Sequence, residues 1–264
     1  MRFATFRRPA LRRLALGVAA AALTLAIGAP AKASPFTVTY EPPGVQSANT
    51  AALCGSLGKG GCTVGAETFD ARPTGGPAAF TTDFGTGGAI TGTYTGATVL
   101  DADQYGGAGG TGRYAVTFGT GGYSLALSTT LAGGINYFGF WLSALDKGNV
   151  VTFYDGASQV YQFTPGDLLA MLGNCPNAYC GNPNAAFSGQ NGGQPYAFLN
   201  FFDDGGSFDR VAFTEDPAVG GYESDNHTVG HVTGTSGTPI PEPSTVALVG
   251  VGLAGLGVMR RRQR

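Results

Sequence analysis

Basic residues are almost missing from the interior of this chain. Between Ser34 and Pro239 there are five, Lys59, Arg72, Arg113, Lys147 and Arg210, against sixteen acids, so this stretch carries a net charge near −11. Phosphate recognition needs clustered Lys and Arg, and nucleic acid is therefore excluded as a partner. Histidine is scarcer still, with only His227 and His231. A Ser-His-acid hydrolase needs an imidazole among its central strands, whereas both histidines lie near the end. No G-x-S-x-G elbow is present. Sixteen acids offer many carboxylate pairs for glycoside cleavage, but the sequence selects none of them. No catalytic activity is expected.

Glycine is abundant, at 45 of 264 residues, far above the usual share of about 7%. It clusters between short apolar runs, as in Gly106-Gly107-Ala108-Gly109-Gly110 and Gly121-Gly122. That spacing reads as turns between strands. Aromatic residues, at 11%, supply enough core material to set disorder aside.

The two ends differ from the middle. Arg2, Arg7, Arg8, Arg12 and Arg13 precede an apolar stretch from Leu14 to Ala29 and a small-x-small triplet, Ala31-Lys32-Ala33. This is the pattern of a signal peptide over residues 1–33, cut by signal peptidase between Ala33 and Ser34. Arg12-Arg13-Leu14 matches a twin-arginine pattern only loosely, and general secretion is the reading adopted. At the other end, residues 245–259 form a transmembrane segment. Its stretch from Val246 to Met259 is fourteen residues without a charge. As a helix that is about 21 Å at ~1.5 Å per residue, short against a hydrocarbon core of roughly 30 Å. Four glycines weaken it, and Arg260, Arg261, Arg262 and Arg264 keep its end cytoplasmic.

Pro241-Glu242-Pro243-Ser244, the short apolar segment and the closing arginines together resemble the PEP-CTERM sorting signal, here residues 240–264. The resemblance implies a bacterial surface protein whose triplet Pro241, Glu242, Pro243 is a processing site. A membrane-embedded exosortase reads it, cuts there and discards the tail. It also implies transient inner-membrane anchoring, delivery to the cell surface or extracellular space, and an association with exopolysaccharide or biofilm. Tyr137 to Tyr154, Phe208 to Phe213 and Gly221 to Asn226 resemble a subfamily of exosortase-dependent surface proteins, which implies a β-sandwich and supplies no catalytic residue.

Residues 34–232 are expected to form one all-β ectodomain, an antiparallel, jelly-roll-like β-sandwich with one short helix. The N-terminal signal helix and the C-terminal transmembrane helix lie outside it, and 233–239 is a flexible polar spacer. Ile135 to Leu142 and Asn149 to Tyr154 form the firmest strand pair, and Ser158 to Phe163 follows through the Asp155-Gly156 turn. Thr164 as N-cap, Pro165 at N1 and Asp167 at N3 open the helix. Cys54, Cys62, Cys175 and Cys180 are expected as two local disulfides, as suits an exported chain.

Three groups are candidates for binding. Asp101 with Asp103, and Asp203, Asp204 with Asp209, are oxygen-rich loops suited to structural calcium, the one cofactor considered. Trp141 and Tyr154 could stack on sugar rings, and a carbohydrate-binding module is the alternative function; a glycoside hydrolase-like enzyme stands third. His227 and His231 would share a strand face and could hold a metal, but edge histidines are the simpler reading.

Overall fold

The computed structural model describes residues 36–55 and 62–239. Residues 1–35, 56–61 and 240–264, with the signal helix, Ala33, Ser34, the triplet at 241–243 and the transmembrane segment 245–259, lie outside the described residues. Among the described residues no helix is long and apolar enough to cross a membrane.

Among the described residues, thirteen strands and two short α-helices succeed one another as β1 (Phe36–Tyr40), α1 (Thr50–Cys54), β2 (Thr63–Glu67), β3 (Gly75–Thr82), β4 (Ile90–Asp101), β5 (Arg113–Thr117), β6 (Tyr123–Thr129), β7 (Tyr137–Leu142), β8 (Asn149–Asp155), β9 (Ser158–Phe163), α2 (Pro165–Leu172), β10 (Ala197–Asp203), β11 (Arg210–Glu215), β12 (Tyr222–His231) and β13 (Thr238–Pro239). Every pairing is antiparallel.

The expected two sheets are one. The hydrogen-bonded path runs β13-β1-β10-β7-β12-β5-β4-β6-β11-β8-β9, with β2 added to β12 and β3 to β4. This sheet curls until its halves face each other. Phe138 and Phe140 on β7 and Phe201 on β10 meet Phe153 on β8 and Phe213 on β11, with ring centroids 5.0–6.1 Å apart. The corner is β5. Both of its neighbours change partner beside it: β4 leaves β6 for β5 after Thr95, and β12 leaves β5 for β2 after Ser224. Each turns through a residue of positive φ, Gly96 at +84° and Asn226 at +50°, the kind of irregularity that lets a sheet bend.

The expected pairing of β7 with β8 is overturned. β7 lies between β10 and β12, and β8 between β11 and β9. The matching apolar faces of β7 and β8 are real, but they meet across the core. The β8–β9 hairpin does form, turning between Asp155 and Ser158. α2 starts as its sequence directs: the Thr164 N–H donates to Asp167 Oδ2 at 2.8 Å, and Leu168 is buried in the core. α1 is additional. Asn49 Oδ1 accepts from Ala52 N at 3.1 Å at its start, and it ends at Cys54, which is bonded to Cys62; the second disulfide joins Cys175 to Cys180.

Residues 233–239, expected as a loose spacer, are held against the domain. Val232 N–H donates to Asn136 Oδ1 at 2.8 Å and Gly234 N–H to Leu53 O at 2.9 Å. Ser236 is buried; its Oγ donates to Glu41 Oε1 at 2.5 Å, and its carbonyl accepts from Thr39 Oγ1. Thr238 and Pro239 then pair with Tyr40 and Thr39. A polar composition hid this strap because its bonds are made by backbone and hydroxyl groups.

Candidate functional site

β7 and β10 are buried on both faces. Their inner face forms the aromatic core. Their outer face, with Trp141 and Phe198, packs with Ala144, Tyr196 and Ala108 into a second apolar layer. Glycine- and asparagine-rich loops cover it. Gln104 O accepts from Tyr196 Oη at 2.9 Å, Asn182 Nδ2 at 3.0 Å and Asn191 Nδ2 at 2.8 Å, which ties the loops around residues 104 and 182–196 together.

On β12 the same outer face carries acids. Tyr222 and Ser224 point into the core, where the Ser224 and Tyr123 hydroxyls lie 2.5 Å apart, so alternation turns Glu223 and Asp225 outward. The pairing with β7 then shifts register between Asp225 and Thr228. This bulge at Asn226 restarts the alternation one residue late and sends His227 inward. His227 is fully buried against the rings of Phe69, Phe138 and Phe213, 5.0–5.3 Å away, with Nδ1 3.0 Å from Tyr94 Oη. Burial pushes its pKa down to about 3, so the ring is neutral. The expectation of an edge histidine fails at this residue. His231 sits apart, its Nδ1 3.0 Å from Gly134 O, and residues four apart on a strand stand about 13 Å apart.

Beside the bulge lies a cleft of about 420 Å³, lined by Gln46, Ser47, Asp70, Thr111, Asp225, Asn226 and neighbouring backbone. Asp225, 3% exposed, forms part of its wall. Its Oδ2 accepts from Ala108 N at 2.7 Å and its Oδ1 from Asn226 N at 2.6 Å. Burial raises its carboxyl to about 7; those two N–H groups oppose the shift, and Asp70 and Glu67 add to it. Gln46 clasps the walls: Oε1 accepts from Gly109 N at 2.6 Å, Nε2 donates to Asn184 Oδ1 at 2.6 Å, and its carbonyl accepts from Asn226 Nδ2 at 2.7 Å. A carboxylate has roughly four acceptor positions, so Asp225 can still accept from a ligand hydroxyl. Glu223, next on this face, is closed off. It is 5% exposed, its Oε2 has no partner among the described residues, and burial raises it to about 8, with Asp146, Glu215 and Asp103 contributing.

The residues singled out in the sequence lie elsewhere. Trp141 is 1% exposed, packed 6.1 Å from Tyr196, and shows no face to a sugar. Tyr154 is half-buried with the Arg210 guanidinium 3.6 Å over its ring. Asp101 pairs with Arg113 Nε at 3.2 Å, while Asp103 Oδ1 accepts from Tyr105 N at 2.8 Å and Gly106 N at 3.0 Å. Asp203 Oδ1 accepts from Gly205 N at 3.2 Å, Asp204 from Thr37 Oγ1, and both Asp209 oxygens from Gly156 N at 3.1 Å. Asp103 and Asp203 brace their own loops, whereas Asp101, Asp204 and Asp209 tie theirs to other elements. Among the described residues no three His, Cys, Asp or Glu side chains are grouped so as to hold a metal ion.

Residues 239–263 match the family model described as the PEP-CTERM protein-sorting motif. The chain carries a PEP-CTERM sorting signal. The match begins at Pro239, the last residue of β13, so the PEP-CTERM motif leaves directly from the edge of the sheet. It supports an exosortase-dependent, exported protein. Comparison with curated proteins and with solved structures gave no match.

The residues around the cleft were missed. A signal for them exists: in Tyr222-Glu-Ser-Asp-Asn-His-Thr-Val229 the alternation of core-type residues breaks at Asp225-Asn226. Such a break, with Asn where positive φ is tolerated, marks a bulge.

Proposed function

We propose that this is a non-catalytic protein of the cell surface or extracellular matrix, anchored briefly in the inner membrane by residues 245–259. An exosortase then cuts at Pro241-Glu242-Pro243. The PEP-CTERM match at residues 239–263 carries this reading. In this reading the protein acts through its surface, in contact with exopolysaccharide. No calcium is assigned, because among the described residues these aspartates are not grouped in threes with other His, Cys, Asp or Glu side chains. Mass spectrometry of the native mature protein tests the reading. An N-terminus at Ser34 and a C-terminus within 241–243 are the expected result, and intact ends at Met1 or Arg264 would overturn it.

The cleft favours a second reading as a carbohydrate-binding module. Its wall offers carboxylate, amide and hydroxyl groups, a donor and acceptor mixture that suits a polyhydroxylated ligand. Asp70 and Asp225 oppose anionic polymers. Ser47→Trp places an indole at this exposed rim. Binding of a neutral polysaccharide should weaken about tenfold or more, since one filled subsite removes more than ~1.4 kcal/mol, at unchanged melting temperature. Binding indifferent to this substitution would remove the cleft from consideration.

A further inference from the structure

The cleft at the β12 bulge offers a ligand more acceptors than donors. Its side-chain amides already donate within the chain: Gln46 Nε2 to Asn184 Oδ1, and Asn226 Nδ2 to Gln46 O. The N–H groups of Ala108 and Asn226 are taken up by the Asp225 carboxylate, and that of Gly109 by Gln46 Oε1. The acceptors are not used up in the same way. Asp70 is exposed; its Oδ1 takes the Arg113 N–H at 2.9 Å, and its Oδ2 accepts from no donor among the described residues. Asp225 keeps acceptor positions beside its two backbone bonds.

The charge of the cleft is equally one-sided. The described residues that line it include two carboxylates and no Lys, Arg or His. Arg72 and Arg113, each two residues from a lining position in the chain, are engaged elsewhere. Arg72 pairs with Glu67, while Arg113 directs Nε to Asp101 and Nη1 to the carbonyls of Asp70 and Arg72. Asp70 and Glu67 act on Asp225 as like charges, adding to the rise that burial imposes on its carboxyl. Like charges around one opening are relieved by a ligand that brings a cation.

We propose that this cleft takes the primary amine of an amino sugar, so that the preferred polymer is a cationic hexosamine chain with free amino groups. This assignment rests on the carbohydrate-binding reading of the cleft and narrows it to one class of sugar. An ammonium presents three donors and no acceptor, the complement of the Asp70 and Asp225 oxygens. Its hydrogen bonds to carboxylate are charge-assisted and roughly twice as strong as neutral ones. The exposed hydroxyls of Ser47 and Thr111 remain for the hydroxyls of the sugar ring. N-acetylation removes the charge and leaves a single N–H, so the acetylated sugar is the sharpest contrast.

The test is calorimetry on the full chain in detergent at pH 7, with a glucosamine tetramer, the same tetramer N-acetylated, and a glucose tetramer of the same linkage. The glucosamine tetramer should bind about tenfold tighter than the other two, as one charge-assisted hydrogen bond provides, and the gap should narrow at high salt. Asp70→Asn keeps an acceptor for the Arg113 N–H and removes one charge. It should weaken glucosamine binding several-fold and leave glucose binding unchanged, at the same melting temperature. Equal binding of the three tetramers would overturn the amine assignment and leave the carbohydrate reading in place, whereas binding of none would remove both. A glucosamine preference that survives Asp70→Asn would place the amine elsewhere and overturn it. A tetralysine peptide bound as tightly as the glucosamine tetramer would assign the cleft to basic peptides and overturn it as well.

Discussion

Replacing Trp141 by alanine should cost about 3–5 kcal/mol of stability, in the range for deleting a buried aromatic side chain. The residue is 1% exposed between Tyr196, Phe198 and the loop at Ala108, so its removal leaves a void between the sheet and the loops that cover it. Chemical denaturation should show a lower midpoint with little change in slope, since the surface exposed on unfolding is nearly the same. A loss below about 1 kcal/mol would mean that the indole is displayed and not packed. The distinction bears on function: any loss of polysaccharide binding in this variant would report loosened loops and not a stacking platform.

The second large effect is one of pH. Burial raises Glu223 from 4.5 to about 8. Below pH 4 the carboxyl is protonated in both folded and unfolded chains. Between about pH 5 and 8 the unfolded chain gives up its proton while the folded chain retains it, so stability falls as pH rises; above 8 the loss is complete and constant. Glu223→Gln removes the ionisation and keeps the shape of the neutral acid. The variant should match wild type at pH 4 and exceed it at pH 9 by on the order of 3–5 kcal/mol, or roughly 10 °C in melting temperature. Coincident melting curves at pH 9 would show that Glu223 is ionised in the fold. Asp225, raised to about 7, acts in the same direction and remains in both proteins. His227 acts in the opposite sense: its contribution is present above pH 6.5 and is lost as pH falls toward 3.

Most elements were legible, α1 and β13 excepted, and the connectivity was not. Phe36–Tyr40 and Ser158–Phe163 announce themselves by alternation, and α2 by its capping residues, because these signals are local. The partner of Tyr137–Leu142 is not a local property. Tyr-Phe-Gly-Phe-Trp-Leu is apolar at every position, the mark of a strand covered on both faces, and reading only the Phe138-Phe140-Leu142 stripe overlooked the layer built on Trp141. The cleft was hidden for a related reason. Its walls come from residues 46, 70, 108, 109, 111 and 225, which are far apart in the chain and meet only in the fold. His227 was misplaced because one bulge reverses the facing of every residue after it.

The strap has a consequence for the order of events in export. Ser236 is bound to Glu41, 195 residues earlier in the chain, and β13 closes on β1, the first strand. A polypeptide threaded N-terminus first through a membrane cannot complete this sheet while its last strand is still inside. Long-range closures of this kind are slow even for a free chain. A sheet whose last described strand closes on its first is complete only when the whole of residues 36–239 is free to fold.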